Sequence, residues 1–194
     1  MERRIAIVGA AVAASILWTP VRAADIRDID LRVADGRYTV TARTHVDAPA
    51  PAVFAVLSDF PRYGELSSIY REARWLEEPD AAGSGRVYSL VEGCVLFVCR
   101  RLERVEVVRL DAPGHIEAIV EPEASTVPYG VSEWQVSADE AGAAWVDFTM
   151  AIEPGFWVPP IIGPLVIRGA LALRSGKAAE RLERLALMRA DEHP

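Results

Sequence analysis

Two cysteines and three histidines in 194 residues leave little material for thiol or metal chemistry, and no His, Cys or carboxylate cluster has metal-ligand spacing. Nor does the chain offer a Gly-rich phosphate loop, a nucleophile elbow or a Ser-His-Asp arrangement. No metal, cofactor or catalytic residue is therefore expected, and an enzyme is the less favoured class. Positive charge is scarce: the formal net charge is −7, which argues against nucleic acid and against anionic lipid surfaces as partners. Beyond the first two dozen residues, no apolar run reaches the roughly 20 residues that span a bilayer. No repeat, low-complexity tract or second domain is visible.

What the chain does have begins with a leader. Arg3 and Arg4 precede an apolar run from Ile5 to Trp18. Pro20 breaks it, and Val21-Arg22-Ala23 has small residues at the −3 and −1 positions of a cleavage site. Residues 1–23 are expected to be a cleaved signal peptide, with 24–36 a lead segment and 37–190 the folded domain. The run is too short for a membrane anchor. Removing Arg3, Arg4, Arg22 and Glu2 takes the net charge from −7 to −9, and the destination is the periplasm or the exterior.

Strand patterns dominate the rest. Tyr38, Val40, Ala42 and Val46 alternate with Thr39, Thr41, Arg43 and His45, the pattern of a half-buried strand. Pro49 and Pro51 open a short helix with the stripe Val53, Phe54, Val56 and Leu57. Asp59 caps a second short helix near Arg62 to Leu66. Further strands are expected over Ile69–Glu77, Arg86–Glu92, Leu102–Leu110, His115–Glu121, Tyr129–Ser137 and Ala144–Ile152, separated by Gly- and Asp-rich turns. A long helix follows, from near Ile161 to Met188, with Leu171, Ala178, Leu182 and Leu185 on one face. Gly163-Pro164 and Gly169 predict a bend or late start there.

The segment from Val46 to Tyr63, with its Ala-Pro, Val-Phe and Leu-Ser-Asp-Phe elements, resembles the opening of the START-like (SRPBCC) superfamily, in its polyketide cyclase/dehydrase and coenzyme Q-binding branches. Gly130 and Trp134 echo a later family pattern at altered spacing. Phe156-Trp157-Val158-Pro159-Pro160 is similar to exported members nearest the coenzyme Q-binding branch. The resemblance implies an α+β helix-grip fold: about seven antiparallel strands curved round the long C-terminal helix, with two short helices after the first strand. It also implies a cavity between helix and sheet for a hydrophobic small molecule, of the lipid or isoprenoid quinone class. A cyclase-like enzyme on an apolar substrate and an envelope interaction module are the alternatives. Such cavities are mostly apolar, with a few placed polar groups.

Trp134, Val136, Phe148, Met150, Trp157 and Leu171 are the expected lining residues. Cys94 and Cys99 would lie on opposite faces of one continuous strand. A reversal at Val95–Val98 brings them together, and an oxidising compartment favours a disulfide. The other reading is two buried thiols with the turn at Glu92-Gly93. An apolar tip made by that reversal would cover a cavity mouth, touch a membrane or pack in the core. Phe156–Ile162 is either a hydrophobic gate or interfacial foot, giving transient membrane contact, or ordinary helix-to-sheet packing. Exposure of Trp157 separates these. His45 and His115 read as solvated, as does the run Arg100–Arg104. Among the strand carboxylates Glu92, Glu117, Glu133 and Asp147, an inward one could act as acid or base.

Overall fold

The computed structural model describes residues 25–95, 98–158 and 162–192, with 25–27, 95, 98, 162–167 and 170–174 defined by their backbone alone. The leader and His193 lie outside the described residues. Eight strands form a single antiparallel sheet in the order β1-β2-β8-β7-β6-β5-β4-β3. They are β1 (Asp25–Ala34), β2 (Arg37–Pro49), β3 (Tyr70–Glu77), β4 (Ser84–Val95), β5 (Val98–Asp111), β6 (His115–Val120), β7 (Tyr129–Ala138) and β8 (Ala143–Glu153). Helix α1 (Ala50–Leu57), a 3-10 turn (Phe60–Arg62) and α2 (Tyr63–Leu66) follow β2, and α3 (Ile162–Glu192) ends the chain.

Seven of these strands coincide with the alternating segments of the sequence. The eighth, β1, arises from the expected lead. Its pattern Ile29-x-Leu31-x-Val33 has a strand's period of two, and Leu31 is buried opposite Val40. The turn to β2 is Asp35-Gly36, with φ of 51° and 77° at the two residues. Positive φ at both centres defines the hairpin turn whose twist matches that of the strands. Helix α3 is described from Ile162, and Pro164 falls in the first turn of that span, where a missing N–H costs nothing.

One face of the sheet is buried. Across it the register runs Val46–Ala144 and Val146–Val136, then Trp134–Ile116, Leu110 and, one pair further along β5, Val108. Val53, Val56 and Leu57 of α1 and Leu182, Leu185 and Ala186 of α3 close over these residues. Tyr63 donates its hydroxyl to the Leu57 carbonyl at 2.6 Å, which fixes α2 against α1. A second cluster, Leu31, Tyr38 and Val40 with Met150, Ile152 and Val158, fills the β1 end.

Cys94 and Cys99 stand opposite each other at the neck of the β4–β5 hairpin and are disulfide-bonded. The residues between Val95 and Val98 lie outside the described residues. Closing so small a loop stabilises by about 2 kcal/mol through the unfolded chain. The Cys94→Ser/Cys99→Ser variant is expected to lose that amount in urea unfolding, with no effect of reductant on what remains. Equal stability of the two proteins would mean that the neck is held by its strand pairing alone.

His45 is half-buried rather than solvated. Its Nε2 lies 2.9 Å from Asp139 Oδ2, and its ring meets Trp145 edge-on at 4.7 Å. This contact and the Ala141 and Ala143 amides hold the Asp139 carboxyl below its ordinary range, the His45 bond being the largest cause. His115 sits between Glu133 and Asp111 at 3.2 and 3.5 Å.

Candidate functional site

The inner face carries four buried polar side chains where sheet patterning alone calls for apolar ones. β4 brings Ser89, β5 brings Arg104 and Glu106, and β7 brings Ser132. Register sets Ser89 opposite Arg104, and Val87 opposite Glu106. Arg104 is 8% exposed, Glu106 3% and Ser89 2%. The run Arg100–Arg104, expected at a solvated edge, therefore divides: Arg104 turns inward while Arg101 pairs with Glu92 outside. The inward carboxylate is Glu106. Glu92, Glu117, Glu133 and Asp147 instead make ion pairs with Arg71 and Arg101, Arg109, His115 and Arg43.

Arg104 Nη2 approaches Glu106 Oε2 at 3.5 Å and the Tyr70 hydroxyl at 3.4 Å. Burial opposes its charge, but Glu106 and the Tyr70 and Tyr63 hydroxyls outweigh burial, so its pKa rises and the guanidinium stays charged. Burial raises the pKa of Tyr63 and Tyr70 as well, keeping both as neutral phenols. Two atoms are unsatisfied: Arg104 Nε and Ser89 Oγ are buried without a hydrogen-bond partner among the described residues. Buried polar atoms are nearly always paired, and leaving one unpaired costs about 1–3 kcal/mol.

These groups surround a cavity of about 10 Å³, walled also by Phe60, Ala73 and Trp134. That is room for about one water molecule. Phe60 stacks on Tyr63 at 4.7 Å and meets Trp75 edge-on, and Trp134 lies 5.1 Å from Phe148. The wall is thus aromatic, and its polar atoms converge from adjacent strands β4 and β5. A larger groove of about 80 Å³ lies outside, between α1, α2 and the end of α3. The Arg189–Asp59 ion pair spans it, and Arg62 at its rim pairs with Glu65.

Of the expected lining residues, Trp134 walls the cavity and Phe148 packs against it. Val136 is buried beneath the helices, and Met150 belongs to the β1-end cluster. Trp157 stands apart from the interior at 79% exposed. Leu171 lies within α3, its side chain outside the described residues. Sequence reasoning missed Arg104, Glu106, Ser89 and Tyr70. The signal in β5 was double: Leu102, Val108 and Leu110 mark one face, Val105 and Val107 the other. Val105 is buried too, because the loop after β6 covers it, with Ser125 Oγ accepting from the Val105 amide at 2.9 Å. Periodicity could not choose between the two phases. Among the described residues, no group of three or more His, Cys, Asp or Glu side chains could hold a metal ion.

A curved antiparallel sheet gripping one long helix, with two short helices after an early strand and a mixed aromatic–polar interior, defines a START-like helix-grip protein. The chain belongs to the polyketide cyclase / dehydrase and lipid transport family, whose sequence model matches residues 37–186. Its fold is shared by a START superfamily protein from Mycobacterium smegmatis (TM-score 0.62, 16% identity, 76% of this chain and 98% of that one). The Zhui aromatase/cyclase from Streptomyces sp. R1128 is equally similar (TM-score 0.62, 18% identity, 79% and 96%). A STAR-related lipid transfer protein from Xanthomonas axonopodis also matches (TM-score 0.58, 14% identity, 79% and 98%). No curated protein matches the sequence.

Proposed function

We propose that this chain binds and carries an apolar small molecule inside the grip, with one neutral oxygen of that molecule against Arg104 and Ser89. The observation that carries this is the pair of unsatisfied buried donors, Arg104 Nε and Ser89 Oγ, in an aromatic-walled cavity. Glu106 already balances the Arg104 charge, so an incoming carboxylate would bring a second, uncompensated charge indoors. A carbonyl or hydroxyl oxygen does not. A lipid or isoprenoid quinone meets that description. The family's description and the names of the related structures, which include a lipid transfer protein and a cyclase, support the hydrophobic class.

A molecule of that size needs several hundred Å³, far more than the cavity of about 10 Å³ holds. Binding therefore requires the helices to lift from the sheet, with burial of apolar ligand surface at about 25 cal/mol per Å² driving the opening. The charged start and the apolar run from Ile5 to Trp18 support the periplasm or the cell exterior as the compartment of this activity.

Native mass spectrometry with solvent extraction, on protein purified from its own compartment, is the test. A neutral apolar adduct is expected, and decylubiquinone should bind in preference to palmitate. Ser89→Ala should weaken decylubiquinone by roughly fivefold, the worth of about one hydrogen bond. Absence of any adduct, together with no binding of either probe, would sink the carrier reading. The convergence of Arg104, Glu106, Tyr63, Tyr70 and Ser89 favours a second reading, a cyclase-like enzyme. An adduct whose mass changes during incubation with the protein would select it.

A further inference from the structure

The hydrophobic segment before α3 stands beside the disulfide-tied hairpin. Arg100, one residue from Cys99, lies over the Phe156 ring at 5.6 Å from its centroid. Phe156 is 37% exposed, and Trp157, next to it, is the most exposed large apolar side chain among the described residues. Two segments far apart in sequence thus form one edge, made of two aromatic rings and a guanidinium.

That edge lies on the same face as the buried cluster. Strand residues two apart share a face, so Arg100, Leu102, Arg104 and Glu106 form one row on β5. Along it, side chains pass from exposed at Arg100, through half-buried Leu102, to buried at Arg104 and Glu106. Opposite Arg100, a side chain added at Gly93 would meet nothing within 4 Å among the described residues. The Phe156–Trp157 edge therefore stands at the exposed end of this row among the described residues.

We infer that Phe156, Trp157 and Arg100 dock this exposed end on the surface of a phospholipid bilayer. Tryptophan suits that boundary, with an apolar body and an N–H that reaches the headgroups. Charge agrees locally even though the whole chain is acidic. Around the hairpin neck Arg71, Arg100 and Arg101 stand against the Glu92 carboxylate that Arg71 and Arg101 share. This leaves positive charge for lipid phosphates at the one place where the apolar rings protrude. The carboxylates that repel an anionic surface elsewhere are screened beyond about 10 Å at ordinary ionic strength. The inference goes beyond ligand binding and stands without it.

The test is flotation of the protein, as its own cell processes it, with vesicles of phosphatidylcholine alone and with 30 mol% phosphatidylglycerol. Wild-type protein is expected to float with both, and more with the second. Trp157→Ser should lower partitioning by roughly tenfold on both, since a large aromatic surface is lost from the interface. Arg100→Glu should lower it chiefly on the phosphatidylglycerol vesicles, and 0.5 M salt should remove that difference. Leu76→Ser, at an exposed apolar site elsewhere, should change nothing. Circular dichroism confirms folding, which so exposed a tryptophan does not support. Wild-type protein that stays unbound, or Trp157→Ser that floats like wild type, overturns the inference. Native mass spectra of the same preparations report the ligand separately, so loss of docking with a retained adduct would leave the carrier reading intact.

Discussion

Arg104→Met should destabilise the protein by about 3–5 kcal/mol, the cost of leaving one member of a buried ion pair without its partner. Glu106 is 3% exposed and has Arg104 Nη2 at 3.5 Å. In the variant that carboxylate faces Val87, Val120 and aromatic rings. Methionine fills a similar volume, so little of the loss comes from a cavity. Arg104→Met/Glu106→Leu should recover most of it, because a buried pair often contributes little more than an apolar pair of similar size. Urea unfolding of the two variants decides this. A single-variant loss below about 1 kcal/mol would mean that solvent screens the Glu106 carboxylate once Arg104 is gone. The double variant, if stable, is also the cleanest probe of function. It keeps the fold and removes the unsatisfied Arg104 donor, so neutral-ligand binding should fall while unfolding stays near wild type.

Gly83→Ala is expected to cost about 3 kcal/mol, assembled from two causes. Gly83 has φ of 76°, in the left-handed region, where a side chain costs roughly 1–2 kcal/mol. The added Cβ would also stand 2.3 Å from the Leu110 carbonyl oxygen, which is backbone and cannot swing away. Relief means moving the Asp80–Ser84 turn and losing the bond from the Leu110 amide to the Gly83 carbonyl, now 2.9 Å, at about 1 kcal/mol. Gly142 separates the causes. Its φ is 88°, but a Cβ there would meet nothing within 4 Å, so Gly142→Ala should show the backbone cost alone. Equal urea midpoints for the two variants would falsify the close approach of the β3–β4 turn to β5.

Strand positions were legible because most strands bury one side only. In β2, β7 and β8 apolar and polar residues alternate, and alternation is a local property that no partner strand has to supply. The hairpin of β1 and β2 was equally written in the chain, in Asp35-Gly36, although acidic residues at 25, 28, 30 and 35 make the stretch look like a polar lead. The disulfide could be reasoned from a reversal, since two cysteines five apart meet only across a neck.

The site was less legible. Val105 and Val107 competed with Leu102, Val108 and Leu110 for the phase of β5, and only the loop that covers Val105 reveals why both faces are apolar. Trp134 packs against the core and Phe148 against Trp134. The same alternation could not tell which inner positions touch a cavity and which, like Val136, are packed under helices. Trp157 and Arg100 are 57 positions apart, so nothing in sequence spacing joins them.

By itself the sequence determined the family, the antiparallel strands, the short helices and the long closing helix. These follow from side-chain periodicity, turn chemistry and proline placement, all of which act within a few residues. Only the tertiary structure decided that Arg104 and Glu106 are partners in the interior, that two donors are left over there, and that an aromatic edge stands at the exposed end of their row. Those outcomes depend on strand register and on which segments cover which. They arise from the summed packing of distant residues, which no local pattern encodes.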